Sequence, residues 1–149
     1  MQLNPSKINW FLMFKLPAAY WCGVRLKTLT EVESSASVKF KWINQNPFRS
    51  MYFAVQMMAA ELSTGALVMS KIKDSRKNVS MLVASNQAVF NKRVTGRVVF
   101  TCTDGALVSA VIAKMTAGEA QGITLRSIGT NEAGEIVSEM KFEWTLKLR

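Results

Sequence analysis

Glu61 is the residue of this sequence best suited to chemistry. It lies in an otherwise apolar stretch, with Ala60 and Leu62 beside it and Met57, Met58 and Ala66 on the surrounding turns. The 149-residue chain contains no histidine. Ser-His-Asp and Cys-His catalysis are therefore excluded, as are histidine metal sites. Any general base must be a carboxylate, a lysine, a tyrosine or a cysteine. A carboxylate held in apolar surroundings has its pKa raised toward the useful range. It can then activate water or attack a carbonyl carbon directly. The alternative is a structural acid paired with an Arg or Lys from another strand. Cys22 and Cys102 stand apart with no metal-ligand spacing, so no metal is expected.

The element that positions Glu61 is a long helix. Met, Ala and Leu dominate the second half of 46–69, and these are strong helix formers. Asn46 ahead of Pro47 reads as a cap and first-turn proline, and Ser50 offers a second cap. From Ser50 to Met69 such a helix spans roughly 30 Å. It is apolar on most sides and belongs in a core. The basic stretch Lys71 to Lys77 suits its C-terminus. Its length would also cross a membrane, but Gln56, Glu61, Ser63 and Thr64 argue against stable membrane insertion.

Around this helix the chain alternates between elements. Residues 5–15 read as a short amphipathic helix ended by Pro17, and 18–23 as an aromatic connector whose Tyr20 and Trp21 pack on the body. Residues 24–32 and 37–44 read as a hairpin, with a turn at Glu33-Ser34-Ser35 and with Val38, Phe40 and Trp42 sharing a face. The apolar run 79–89 reads as a strand buried on both faces. A strand at 96–103, a helix at 105–117 closed by Gly118, and strands at 123–130 and 136–148 complete the chain. In the last strand Met140, Phe142, Trp144, Leu146 and Leu148 face one way. These elements predict an α+β fold: about six mostly antiparallel strands curled around one long buried helix, in a single domain spanning 1–149, with 1–22 as an N-terminal helix and connector.

Nineteen basic against ten acidic side chains give a net charge of +9. Nucleic acid, anionic lipid and phosphorylated cofactors are all partners that such a charge attracts. The basic residues are spread out, with local groupings at Lys71–Lys77 and at Lys92, Arg93 and Arg97, and no basic strip carries interleaved aromatics. Nucleic acid is therefore not expected as a partner. The Trp10–Phe14 run is too short for a signal core, and reduced cysteines suit a cytoplasmic protein.

At this level the chain resembles the hotdog-fold thioesterases, in which an antiparallel sheet wraps a long central helix. The resemblance covers roughly residues 24–148 in architecture, and its specific part is 46–61. The family often shows an Asn, a Gly-Thr pair, a His-Gly-Gly and then an Asp or Glu seven residues after the last Gly. Asn46 matches the Asn, Ser50 stands for the Thr and Ala54 for the last Gly, and Glu61 falls where the catalytic carboxylate belongs. Arg49 replaces a Gly, Tyr52 the His, and Phe53-Ala54 the Gly-Gly pair. Asn-Pro-Phe-x-Ser-Met-Tyr followed by Ala-Ala-Glu is similar to a branch of the superfamily known as a domain of unknown function.

The resemblance implies hydrolysis of an acyl thioester, with coenzyme A entering only as part of the substrate. It implies Glu61 as base or nucleophile, with Asn46 orienting substrate or water. The backbone N–H groups of Phe53 and Ala54, two turns before Glu61, would hold the oxyanion. Ser50, Tyr52 and Arg49 are then substrate-binding positions, and Lys92 and Arg93 grip phosphates. Plainer readings stand beside these. Asn46 would be a cap, Tyr52 and Phe53 core residues, and Lys92 and Arg93 a solvated turn. Met51, Met57, Met58, Met69 and Met81 would be core filler or the lining of an acyl pocket. The bulk at Arg49, Tyr52 and Phe53 motivates a second expectation, a non-catalytic binder of an acyl or lipid-like ligand. In either case a homodimer, or a dimer of dimers, is expected, with helices side by side and the sheet extended across an edge strand.

Overall fold

The computed structural model describes residues 2–149. The elements in chain order are α1 (Pro5–Lys15), α2 (Pro17–Trp21), β1 (Arg25–Leu29), β2 (Ser34–Lys39), a 3-10 turn (Trp42–Asn44), α3 (Phe53–Ser75), β3 (Val79–Phe90), β4 (Arg97–Cys102), α4 (Gly105–Lys114), β5 (Ala120–Asn131) and β6 (Ile136–Leu148). The six strands form one antiparallel sheet in the order β1-β2-β4-β5-β6-β3, so β1 and β3 are its edges. The sheet curls around α3, which packs on β2, β4 and β5 and against α4.

Period-two alternation supplies the inner face of the sheet. Val98 and Phe100 of β4, Ile123 and Leu125 of β5, and Met140, Phe142, Trp144 and Leu146 of β6 are all buried. Ala59, Ala60, Ser63, Gly65 and Ala66 make the facing side of α3 small enough for close approach. The polar groups trapped in this layer are paired, as burial requires. Ser63 and Ser127 share a 2.7 Å hydroxyl contact, Ser138 donates to Gln56 Oε1 at 2.9 Å, and the Trp144 indole donates to Thr64 Oγ1 at 3.1 Å. α3 is long and apolar enough to cross a membrane, but most of it is enclosed by the sheet.

Several elements differ from the sequence expectation. α3 starts three residues later than Ser50 and runs past Met69 to Ser75. Its start is delayed because Asn46 and Ser50 are used inside a preceding turn, leaving Tyr52 as the cap residue. Its end is delayed because Lys71 continues the helix with its charge met by Glu31; Arg76, at φ +56°, then stops it. β2 begins at Ser34, not Ser37, because Thr30 Oγ1 closes the turn by accepting the N–H groups of Val32 and Glu33. It stops at Lys39 because Asn44 binds back to the chain, accepting from Lys41 N and donating to the carbonyls of Cys22 and Lys39. Trp42 is consequently 82% exposed instead of sharing a face with Val38.

β3 is an edge strand with a largely exposed outer face, not a strand buried on both sides. Residues 17–21 form a helix in place of a connector, and Trp21 is exposed while Tyr20 packs on the core. α4 ends at Lys114, three residues short of the expected 117, because Met115 is extended. Cys22 and Cys102 are both free thiols.

Candidate active site

The turn ahead of α3 is organised by Asn46. Its Oδ1 accepts the backbone N–H groups of Phe48 (2.9 Å) and Ser50 (3.2 Å), and its Nδ2 donates to Ser50 Oγ at 3.0 Å. This is the Asx-type closure that Asn makes readily. The same turn is tied outward, with Met51 N donating to Val94 O at 2.8 Å and Tyr52 N to Asn44 O at 2.9 Å. The first tie brings Lys92 and Arg93 beside the turn. Arg49 adopts φ +59°, a left-handed conformation that costs a side chain roughly 1–2 kcal/mol.

Two cavities flank the N-terminal turn of α3. The first, about 470 Å³, is lined by Asn46, Ser50, Tyr52, Phe53, Gln56, Lys92 and Arg93, with Phe48 and Phe90 also in its wall. The second, about 330 Å³, is lined by Ala54, Met57, Met58, Glu61, Val83, Asn86 and Phe142, and by Leu16, Ala18 and Ala19 from the α1–α2 junction. The structure thus joins Glu61 with Ala54, and joins Asn46, Ser50, Tyr52 and Phe53 with Lys92 and Arg93. It does not place the two groups in one cavity, and Arg49 lines neither. Phe53 and Ala54 stand on the first turn of α3, and among the described residues no acceptor takes their N–H groups. Such free donors at the positive end of a helix suit an anionic oxygen.

Glu61 is half-buried in the wall of the second cavity. Among the described residues no hydrogen bond or ion pair reaches its carboxylate. Burial pushes its carboxyl up from 4.5 to about 7, because loss of water disfavours the charged form. The surroundings hold it from below. Thr64 Oγ1 donates to the Glu61 carbonyl at 2.9 Å and accepts the Trp144 indole N–H at 3.1 Å, fixing the ring under the helix turn that bears the acid. The expected structural pairing with a basic partner is absent among the described residues. Lys71 pairs with Glu31, Lys92 with Glu135 and Arg126 with Glu139.

Three contributors were not singled out from sequence. Gln56, 4% exposed, lines the first cavity while its Oε1 is held by Ser138. Among the described residues, Asn86 is the one polar side chain besides Glu61 in the wall of the second. Gln56 announces itself only as a single polar residue in an apolar run, and Asn86 is masked by its polar neighbours Ser85 and Gln87. The wall from Leu16, Ala18 and Ala19 had no signal, because it arises from how α1 and α2 lie over α3.

Comparison with known proteins agrees with this architecture. The family model described as a domain of unknown function, DUF4442, matches residues 5–146. No curated protein matches the sequence. Among solved structures, a protein of unknown function from Pseudomonas aeruginosa, described as a probable thioesterase, is 24% identical with a TM-score of 0.81, the match covering 100% of this chain and 99% of that one. A protein of unknown function from Chlorobaculum tepidum is 14% identical with a TM-score of 0.84 and 99% of each chain covered. A thioesterase from Haemophilus influenzae is 10% identical with a TM-score of 0.74, covering 99% of this chain and 93% of that one. At these identities the likeness shows the fold, which is the hotdog fold.

Proposed function

This chain belongs to the DUF4442 family, and from that premise we propose that it hydrolyses an acyl thioester, with Glu61 as general base or nucleophile. The observation that carries the reading is the unpaired Glu61 carboxylate in an apolar cavity. Its carboxyl, near 7, is matched to proton transfer at neutral pH. As base, ionised Glu61 takes a proton from water while the water oxygen bonds to the thioester carbonyl carbon. The carbonyl oxygen becomes an oxyanion facing the free N–H groups of Phe53 and Ala54. Collapse breaks the C–S bond, and the departing thiolate takes the proton that Glu61 holds, which restores the ionised carboxylate. As nucleophile, ionised Glu61 would instead attack the carbonyl carbon and expel the thiolate as the C–S bond breaks, giving an acyl anhydride that water hydrolyses to the free acid and the Glu61 carboxylate.

Met57, Met58, Val83 and Phe142 offer an adaptable apolar lining for the acyl group. The first cavity, with Asn46, Ser50, Tyr52, Lys92 and Arg93 in its wall, suits the polar carrier, a coenzyme A or acyl-carrier phosphopantetheine, with Arg49 on the exposed turn beside it. The structural neighbours described as thioesterases support this class of reaction. The open edge of β3 supports assembly as a homodimer that extends the sheet.

The test is hydrolysis of a panel of acyl-CoA thioesters, followed by release of free thiol. Glu61→Gln keeps the shape and removes the base, so turnover should fall roughly 10²–10⁴-fold while the protein stays folded. A Gln variant as fast as the parent would overturn the assignment. The second reading, an acyl-ligand binder without turnover, is favoured by Tyr52 and Phe53, whose rings stack edge to face 5.0 Å apart beside the helix N-terminus. Native mass spectrometry showing a retained fatty acyl ligand, with no hydrolysis of any thioester, would select it.

A further inference from the structure

A helix that packs by one stripe ordinarily turns polar side chains outward. α1 does the opposite. Ile8 and Leu12 are its buried residues, and Asn9 clamps it to β1, donating to Leu26 O at 3.0 Å and accepting from Leu26 N at 2.8 Å. At about 100° per residue, Trp10 and Phe14 fall on the side away from Ile8 and Leu12. They are 66% and 61% exposed, with ring centroids 5.0 Å apart. α2 adds Trp21, 68% exposed. Trp21 meets Tyr20 edge-on at 6.3 Å, and the Arg25 guanidinium covers the Tyr20 ring at 3.7 Å.

Charge decides what such a face is complementary to. Residues 1–30 contain Lys7, Lys15, Arg25 and Lys27 and not one acid; Glu31 is the first. Exposed tryptophan and phenylalanine on a segment whose charged side chains are all cations are suited to the headgroup layer of a membrane, where aromatic rings settle and basic side chains meet lipid phosphates. We propose that α1 and α2 form a docking surface for an anionic lipid bilayer, on which the protein lies without spanning it. The second cavity shares a wall with this surface, since Leu16, Ala18 and Ala19 line it. An acyl group leaving the bilayer therefore has the Glu61 cavity directly behind the docked face. That last step rests on the thioesterase reading; the docking does not.

The test is sedimentation of the full chain with phosphatidylcholine vesicles, with and without phosphatidylglycerol, at low and high salt. The chain should sediment with the anionic vesicles, stay behind with the neutral ones, and release as salt rises. The combined variant Trp10→Ser, Phe14→Ser and Trp21→Ser changes only exposed positions. It should keep the parent's melting curve and lose at least about tenfold in vesicle partitioning. Lys15→Glu with Lys27→Glu, again both exposed, is the second probe and should also weaken binding at low salt. Failure of the parent to bind anionic vesicles overturns the proposal, as does binding by both variants equal to the parent's. A triple variant that binds vesicles normally but forms a smaller oligomer in light scattering assigns the face to a second copy, and also overturns it. Because vesicle binding is read without any substrate, an inactive enzyme leaves this test intact.

Discussion

Glu61 and Gly65 stand one turn apart on α3, so close that a β-carbon added to Gly65 would lie 3.2 Å from Glu61 Oε1. The same β-carbon would meet the Trp144 ring at 3.3 Å. Gly in a helix interior costs up to about 1 kcal/mol relative to Ala, so its presence here keeps space for the acid and the indole. Gly65→Ala should change stability by no more than about 1 kcal/mol, helix propensity offsetting the crowding. It should lower thioester turnover roughly tenfold or more by displacing the carboxylate. Thermal melts beside thiol-release kinetics decide this; unchanged kinetics would show that the carboxylate position does not matter.

The elevated Glu61 pKa makes two pH predictions with opposite signs. The folded state holds a proton on Glu61 up to about pH 7, whereas the unfolded chain releases it near 4.5. The stability due to this group is therefore complete below 4.5 and is lost as pH rises through 7, at about 1.4 kcal/mol per pH unit at most. Glu61→Gln should remove that slope and leave the variant more stable than the parent at pH 8. Activity should run the other way. Base and nucleophile both need the ionised form, so kcat/KM should rise through about pH 7 in the parent. Denaturant titrations at pH 5 and pH 8 with a pH–rate profile test both, and a parent profile flat across pH 6–8 would contradict the role given to Glu61.

Arg49 sits at φ +59° where the related pattern has glycine. Arg49→Gly should raise stability by about 0.5–1 kcal/mol, the relief of the left-handed conformation exceeding the entropy added to the unfolded chain. If Arg49 also steers a phosphorylated carrier, the same variant should raise KM for acyl-CoA and leave kcat in place. A KM unmoved at low ionic strength would confine Arg49 to a turn role.

The exposed edge of β3 predicts a dimer. Light scattering at micromolar concentration should return twice the 16.6 kDa chain mass. Pairing of β3 with its copy would bury Leu82, which is 68% exposed. Leu82→Lys should shift the population toward monomer, and a monomeric parent would remove the prediction.

The parts of this protein that were legible in its sequence are those set by local periodicity. The alternation from Met140 to Leu146 named the inner face of β6 residue by residue. The isolation of Glu61 in an apolar helix was equally plain. What stayed hidden depends on partners distant in the chain. Asn46 has the side chain of a helix cap and of an Asx turn alike, and only the ties of 51–52 to Val94 and Asn44 select the turn. The apolar run of β3 reads the same for an interior strand as for an edge. The division of Glu61 from Lys92 and Arg93 between two cavities has no sequence signal at all. Trp21 reads as core by composition and lies outside, α2 burying Ala19 instead.

The strand order has a consequence for how the molecule comes into being. β3 has a single neighbour in the sheet, β6, which begins at Ile136, long after β3 has ended at Phe90. During synthesis β3 therefore emerges without a partner and must wait while β4, α4 and β5 are made. Closing so wide a loop is entropically slow. Until it closes, one flank of α3 stays uncovered and an apolar strand stays unpaired, so the nascent chain passes through an interval in which chaperone capture competes with folding.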